Sequence, residues 1–242
     1  MYLRFHLLSP YIPRMATPTH PTTSHEERTA EEPRDAEIHS VIVDDITEIN
    51  LSVRLFRLKT VNGLPLTFLP GQWLDTFVPG IPEAGGFTIT SPPHLAHSPV
   101  PYVELAIQRS PTNAPAAWLF QPTAQVLRRT LQVRVGGAFV WPPPRMELAR
   151  VQNILFVAGG VGINPLMSIV SHLTSGQNPP PFTVEFMYAT KIPSEAWDNG
   201  SLRLDNILFM TRLLKLFSEG SITESRAIKS KILRCTLQEN GS

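Results

Sequence analysis

The sequence predicts two domains: an antiparallel β-barrel, followed by an incomplete parallel α/β domain of the kind that binds a nucleotide. Three observations carry this prediction. The chain has 242 residues, enough for two modest hydrophobic cores. Six short segments with strand character lie between residues 41 and 135. From residue 154 onward, an apolar run, a glycine-rich bend and a helical stripe follow one another.

The composition limits the partners. The 21 Lys and Arg nearly balance the 20 Asp and Glu, and a net charge of +1 offers no extended surface for nucleic acid. Cys235 is the only cysteine, so neither an intrachain disulfide nor a site built from several cysteines is possible. The apolar runs are far shorter than the roughly 20 residues of a membrane-spanning helix. We therefore expect a small-molecule partner, no metal, no nucleic acid and no membrane span.

The N-terminal 37 residues differ in composition from the rest. The first 25 contain Arg4, Arg14 and three histidines but no Asp or Glu, which fits either a mitochondrial transit segment or a disordered extension. Glu26 to Glu37 holds six acids in twelve residues and indicates a solvated linker. Residues 1–37 are therefore expected to be disordered, with order beginning near Ile38. The expected location is mitochondrial, or otherwise cytoplasmic.

The first domain, residues 38–141, is predicted as six strands. Segments such as VELAIQ alternate apolar and polar residues, and turn residues such as Asn62-Gly63 separate the segments. Such strands indicate an antiparallel barrel or sandwich. A helical turn is predicted from Asn113 to Phe120, and the prolines after Trp141 mark the domain boundary. The predicted strands are Val41–Ile46, Val53–Leu58, Gln72–Phe77, Phe87–Thr90, Val103–Gln108 and Leu131–Val135.

The second domain, residues 151–242, begins with a βαβ unit. NILFVA is apolar without alternation, which is typical of a parallel strand covered on both faces. Asn164 to Ser175 carries an apolar stripe with helical spacing, and Phe182 to Tyr188 is a second strand. A right-handed crossover is expected.

The bend between the first strand and the helix contains Gly159, Gly160 and Gly162. Glycines there allow a tight turn and let an anion approach the backbone, while the free amides of the helix start favour phosphate. The spacing differs from the G-x-G-x-x-G pattern, and glycines also serve helix packing. The context of strand, bend and helix nevertheless predicts a pyrophosphate site.

Five short motifs can be compared with a known family: AGGVGINPL at the bend, PGQW from Pro70, GGFTITSPP from Gly85, VRVGGAFVW from Val133 and GSITE from Gly220. Together they resemble the ferredoxin-NADP reductase superfamily. Within it they are similar to the oxidoreductase NAD-binding domain-containing protein 1 group, in a form expected of a fungus. The resemblance covers Ile38 to Ile232. It implies a flavin-binding barrel of the FAD-binding FR type before a nucleotide-binding α/β domain.

The resemblance also implies a flavin site, held in that superfamily by an Arg-x-Tyr-Ser/Thr segment. Phe87 then stacks on the flavin ring and Thr88 faces its N5, which makes Thr88 the catalytic candidate. Gly85 stands in place of the arginine that meets the phosphate, so flavin affinity is expected to fall by about one to two decades. From the residues alone, Phe87 also fits an inward-facing barrel residue and Thr88 an ordinary strand hydroxyl. FAD and FMN are both open.

A second departure lies at the predicted helical turn. Pro115 and Ala116 stand where relatives commonly present glycine and serine to the diphosphate, and Trp118 fits a packing residue better than a ring stacker. The predicted cofactors are NAD or NADP, and FAD. The predicted cofactor-binding residues are Phe87, Thr88, Gly159, Gly160, Val161, Gly162, Ile163, Asn164 and Pro165.

The choice between NAD and NADP stays open. A protein that binds NAD usually has an acidic residue near the end of the second strand, and Tyr188 to Lys191 contains none. Thr190 and Lys191 could bind a 2′-phosphate by donating to it, or Lys191 could simply be solvated.

The C-terminal part departs most from the family pattern. Relatives continue to a Cys-Gly-Pro segment beside the nicotinamide, and Cys235 does not match that cysteine. We expect a truncated C-terminus, which leaves the strand at Ile154 to Ala158 as an exposed sheet edge. Ser221 and Glu224 fit a capping box that starts a last helix carrying Ile228, Ile232 and Leu233.

Two functions follow. The first is a flavin-dependent oxidoreductase that passes a hydride or electrons between NAD(P)H and an unknown acceptor. The second is a catalytically silent, truncated form that serves as a nucleotide- or partner-binding module. A third hypothesis is a flavin-free dehydrogenase, but no residue of the sequence stands out as the acid or base that such an enzyme needs.

Overall fold

Two β-sheets of different character organise the chain. The computed structural model describes residues 4–7, 24–176, 181–218 and 231–238. The strands of these residues are, in chain order, β1 Arg4–Leu7, β2 His39–Asn50, β3 Val53–Thr60, β4 Trp73–Phe77, β5 Gly85–Thr88, β6 Val103–Gln108, β7 Thr130–Gly136, β8 Asn153–Gly159, β9 Thr183–Lys191, β10 Trp197–Asp198, β11 Ser201–Leu202 and β12 Lys231–Gln238. The α-helices are α1 His25–Arg28, α2 Ala114–Leu119, α3 Thr123–Val126, α4 Asn164–Ser175 and α5 Met210–Ser218.

The first sheet has six antiparallel strands in the order β5-β4-β7-β2-β3-β6. An antiparallel bridge between Ile89 and Leu105 links its two ends. All six predicted strands are confirmed, because alternating apolar residues face one core. Members of that core include Val41, Val43, Phe56, Leu58, Leu74, Leu105, Val133 and Val135.

Helix α2 confirms the predicted helical turn. Its N-cap is Asn113, whose side-chain oxygen accepts a hydrogen bond from the amide of Ala116 at 2.9 Å. Trp118 packs against the core of the first sheet, as expected. Helix α3 was not predicted.

The expectation of a disordered or solvated segment is wrong for residues 24–37. Ser24 and Glu27 form a capping box that starts α1. Glu32 accepts a hydrogen bond from the amide of Ala138 at 2.8 Å, and Arg34 forms a bridge with Gly136 beside β7. Glu32 and Arg34 are therefore held by residues about 100 positions further along the chain. Strand β1 also lies within the part that was expected to be disordered.

The second sheet has four parallel strands in the order β1-β12-β9-β8. The predicted sequence of strand β8, helix α4 and strand β9 is confirmed. The predicted last helix is wrong for Ile232 and Leu233, which lie on β12 and pair in register with Glu185 and Phe186 of β9. Ser221, Glu224 and Ile228 lie outside the described residues.

Strand β8 is an edge of this sheet within the described residues, as predicted, since it pairs with β9 alone. The expectation that its residues are covered on both faces is wrong. Phe156 is buried, whereas Leu155 is 54% and Val157 65% exposed. The reason is that α4 and α5 pack on the same face of the sheet, where they share one core with Phe156.

The two sheets contact each other through apolar and polar groups. The ring centroid of Trp141 lies 6.4 Å from that of Phe156 and 5.9 Å from that of Phe182. The buried hydroxyl of Ser168 on α4 donates to the carbonyl of Ser91 at 2.8 Å. These contacts hold a cleft between the sheets, at the carboxyl ends of β8 and β9.

Candidate functional site

The cleft has a volume of about 470 Å³. One wall comes from the first sheet and the other from the second sheet with its following loops. The first wall is formed by Asn50, Ser52, Val53 and Gln108; the second by Gly160, Val161, Tyr188, Ala189, Thr190, Lys191, Pro193, Ile207 and Leu208. Polar backbone and apolar side chains therefore meet in one concave surface, as in cofactor sites generally.

The glycine bend lies at the mouth of this cleft. The backbone of Gly159 is extended, and Gly160 adopts a φ of +50°, a left-handed conformation that favours glycine. A single 3₁₀ turn, Gly160–Ile163, leads into α4, and Pro165 stands in the first helical turn. Because α4 has no side-chain cap, its first amides are not satisfied by a capping side chain. This is the strand, bend and helix that the sequence predicted.

The glycines leave open space above the bend. A Cβ atom at Gly159, Gly160 or Gly162 would meet no other atom within 4 Å. If the glycines served close packing of the helix on the sheet, an added Cβ would collide with neighbouring atoms. The small residues therefore keep the backbone accessible from outside, which is what the approach of a pyrophosphate requires.

The predicted loop residues divide into two groups. Gly159, Gly160, Val161 and Gly162 lie at the surface or are half-buried. Ile163 is fully buried, and the buried side chain of Asn164 donates to the carbonyl of Ala106 on β6 at 2.8 Å. The side chains of Ile163 and Asn164 thus fasten the bend to the first sheet, and only their backbone belongs to the accessible part.

The end of β9 forms the far side of the cleft. The ring of Tyr188 is buried, while Lys191 is exposed. Glu195 lies close by in sequence, but its carboxylate accepts hydrogen bonds from the amide of Leu51 at 2.8 Å and the hydroxyl of Ser194 at 3.0 Å. The bond from the Leu51 amide is the main reason that the pKa of Glu195 falls below its usual range.

Sequence reasoning missed the wall from the first sheet. Asn50 ends β2, Ser52 lies in the turn before β3, and Gln108 ends β6. The turn had a detectable signal, since polar residues interrupt two apolar segments there. No signal in the sequence indicated that this turn faces the glycine bend, because the two are over 100 positions apart and come together only through the packing of the two sheets.

Phe87 and Thr88 are placed away from this cleft. Phe87 stands directly opposite Leu74 in the β4–β5 pair, and both belong to the core of the first sheet. Thr88 stands opposite Trp73, on the other face. Neither is among the described residues that line the cleft. Phe87 thus packs in the core of the first sheet, and its stacking on a flavin ring stays a prediction.

The residues on β5 do not fit a flavin bound in the family's manner. A Cβ at position 85 would lie 2.7 Å from the ring of Phe87 and 2.8 Å from the Cβ of Pro115, so no side chain can replace the missing arginine there. A Cβ at Gly86 would overlap the ring of His25. A cavity of about 460 Å³ lies beside Pro115, lined in part by Arg28 and Glu83. The expected weakening of flavin binding stays a prediction.

Two further observations concern other kinds of site. No three potential metal ligands from His, Cys, Asp and Glu lie together in the described ranges. Among the helices of the same ranges, none is long and apolar enough to cross a membrane.

Comparison with solved structures defines the class of the fold as ferredoxin-NADP reductase-like. The chain is similar to the cytochrome b5 reductase domain of Ulva prolifera nitrate reductase, with a TM-score of 0.61 at 15% identity, over 85% of this chain and 76% of that one. It is also similar to a cytochrome P450 reductase from Amycolatopsis, with a TM-score of 0.60 at 18% identity, over 87% and 54%. No family model matches.

Curated relatives narrow the assignment. Over 151 residues the chain is 39% identical to Oxidoreductase NAD-binding domain-containing protein 1 of Xenopus laevis, covering 62% of this chain and 46% of that protein. Over 203 residues it is 33% identical to the protein of the same name from Bos taurus, covering 81% and 60%. The chain therefore belongs to the oxidoreductase NAD-binding domain-containing protein 1 family, and it spans about half to two thirds of the length of these relatives.

Proposed function

We propose that this chain binds NADH or NADPH in the cleft and forms the nucleotide-binding part of an oxidoreductase with an unknown acceptor. One observation carries the proposal. Three glycines with open space above them follow a parallel strand and precede an uncapped helix. Named relatives that are oxidoreductases support the reaction class.

The chain's own residues bind and orient the nucleotide. The amides of the bend hold the pyrophosphate, and the dipole of α4 adds favourable charge. The first two residues of α4 do not contribute an amide, because that of Asn164 donates to the carbonyl of Val161 and Pro165 has none. Val161, Ile207 and Leu208 supply apolar surface that excludes water from the bound molecule. The nicotinamide supplies the hydride, so the protein has to set distance and orientation rather than provide an acid or base.

Two further parts of the proposal concern the fold. We propose that the six-stranded sheet closes into a barrel at the Ile89–Leu105 bridge, and that the two domains span residues 38–141 and 151–242. No step is assigned to a flavin or to Thr88, because the residues of β5 do not fit the flavin. The silent binding module is not favoured, since the curated relatives are named as oxidoreductases.

The proposal is tested by Gly162→Ala. An alanine there meets no neighbouring atom, so folding should be unaffected. Gly162 lies two residues beyond Gly160, which lines the cleft, so its methyl group would narrow the open space beside the bend. The Kd for NADPH or NADH should therefore rise about tenfold or more, the effect of losing one charge-assisted hydrogen bond. The Kd is measured by nicotinamide fluorescence during titration, and folding by thermal unfolding.

The control is Gly176→Ala. Gly176 follows α4 with a φ of −70°, which alanine adopts readily. This variant should bind like the wild type. Failure of the wild-type chain to bind either nucleotide, or equal binding by Gly162→Ala, would contradict the proposal.

A further inference from the structure

The end of β9 lies where a bound dinucleotide presents its adenosine ribose. With the pyrophosphate at the loop after the first strand, the ribose lies near the end of the second strand. Strands β8 and β9 are parallel neighbours, and Gly159 stands opposite Ala189. Thr190 and Lys191 follow Ala189 by one and two residues. They therefore lie just beyond the position opposite Gly159, on a strand about 5 Å from β8.

The charge of the cleft is positive at this end. Among the described residues that line it, Lys191 is the one with a charged side chain at neutral pH. No carboxylate is present in that lining to accept hydrogen bonds from the two ribose hydroxyls, which is the usual way of recognising NAD.

The acids near Lys191 cannot take that role. Glu195 is engaged by the Leu51 amide and the Ser194 hydroxyl. Glu185 lies on the same face of β9, but six residues earlier and hence about 20 Å away. Asp198 lies 3.9 Å from Arg203 in an exposed ion pair.

Lys191 and Thr190 have free donor capacity. The ammonium group of Lys191 makes no ion pair with a described acid. The hydroxyl of Thr190 makes one long hydrogen bond, 3.4 Å, to the carbonyl of Lys191. Successive side chains of a strand alternate in direction, but Thr190 and Lys191 both line the cleft at the end of β9. An ammonium and a hydroxyl in one cleft suit a phosphate group, which offers several acceptor oxygens.

We propose that Lys191 and Thr190 select NADPH over NADH by binding its 2′-phosphate. This inference rests on the proposed function, since it places the nucleotide in the same cleft. A single charge-assisted bond to phosphate should favour NADPH by about 10- to 100-fold.

The test compares the Kd values of NADPH and NADH for the full chain and its variants. Lys191→Met should raise the Kd for NADPH and leave that for NADH unchanged, so that the ratio of the two Kd values falls to near unity. Lys191→Glu should reverse the preference, because the carboxylate repels the phosphate and accepts from the ribose hydroxyls. Lys191→Arg should preserve it. Added salt should weaken NADPH more than NADH, because the phosphate contact is screened.

The control is Arg150→Gln, which removes one positive charge from a side chain that is 82% exposed and does not line the cleft. Its preference should equal that of the wild type. Equal wild-type affinity for both nucleotides, or an unchanged preference in Lys191→Met, overturns this inference while leaving the proposed function standing. Binding of neither nucleotide overturns both.

Discussion

Asp75 has a fully buried side chain and yet keeps its negative charge. Oδ1 lies 3.0 Å from Nε2 of His25, and Oδ2 accepts hydrogen bonds from Arg34 at 2.9 Å and Arg134 at 2.7 Å. Burial alone would raise the pKa of Asp75, but the hydrogen bonds from these three partners outweigh it and lower the pKa to about 2. Two of the three partners belong to the N-terminal segment, so this carboxylate fastens that segment to β4 and β7.

Asp75→Asn should therefore destabilise the protein in a pH-dependent way. A folded-state pKa of about 2, against an ordinary 3.8, means that the carboxylate stabilises the fold above about pH 4. That contribution, about 2 kcal/mol, is lost as the pH falls towards 2. The difference in free energy of unfolding between wild type and variant, measured by urea unfolding, should be largest near pH 7 and shrink below pH 4.

Asp45→Asn is the matched control, because Asp45 is exposed on β2. Its effect should stay within about 0.5 kcal/mol at every pH. A difference for Asp75→Asn that does not change between pH 7 and pH 2 would contradict the assigned role.

Strand β8 shows how an element can have one buried and one open face. Phe156 stands opposite Phe186 of β9 and its ring centroid lies 5.9 Å away, inside the core shared with α4 and α5. Leu155 and Val157 point to the opposite face, where more than half of each side chain is exposed. Both helices pack on the Phe156 face, which leaves the Leu155 and Val157 side chains exposed.

Phe156→Ala and Leu155→Ala should accordingly differ in cost. The first leaves a cavity among aromatic rings and should lower the free energy of unfolding by about 3 to 5 kcal/mol. The second removes a half-exposed side chain and should lower it by less than about 1 kcal/mol. Denaturant unfolding of the two variants measures both values. A large loss for Leu155→Ala would mean that this face is covered.

At the scale of the whole molecule, buried polar contacts hold the two sheets in a defined relation. Arg212 on α5 makes a bidentate pair with Glu104 on β6, at 2.7 and 3.0 Å, and Thr90 donates to the same carboxylate at 2.8 Å. Burial alone would raise the pKa of Glu104, but Arg212 lowers it below the usual range. The pair joins helix α5, which packs on the second sheet, to strand β6 of the first sheet.

Arg212→Ala should leave Glu104 buried and unpaired. We expect a loss of about 2 to 4 kcal/mol, somewhat below that of a fully buried pair, because the Arg212 side chain is 38% exposed. The double variant Arg212→Ala with Glu104→Gln should recover part of the loss, since no charge then remains without a partner. Thermal unfolding checks both. A double variant that is less stable than Arg212→Ala would contradict this account.

Local patterns predicted much of this fold. Segments such as Val103–Gln108 and Asn164–Ser175 were recognised because the period of apolar residues records which side of an element is buried. The glycine bend was recognised for a similar reason, since strand, turn and helix start are contiguous in the chain. For Phe87 the sequence left two roles open, stacking on a flavin ring and packing inward, because both use the same aromatic residue type. Its pairing opposite Leu74 places it in the core of the first sheet.

The N-terminal segment illustrates the limit of composition. Its six acids suggested a solvated linker, because the basic and amide groups that hold the segment in place, such as Arg134, are far away in sequence. The wall of the cleft formed by Asn50 and Gln108 was missed for a similar reason, because both residues are far in sequence from the glycine bend that they face.

The amino-acid sequence by itself determined the strands of the first sheet and strands β8 and β9 with the glycine bend and helix α4 between them. These depend on interactions between residues a few positions apart. The tertiary structure alone decided which wall faces the bend, that Lys191 lies without a neighbouring free acid, and that Gly85 has no room for a side chain. Those properties arise from contacts between distant segments, whose distances and charges exist only after the two sheets have packed together.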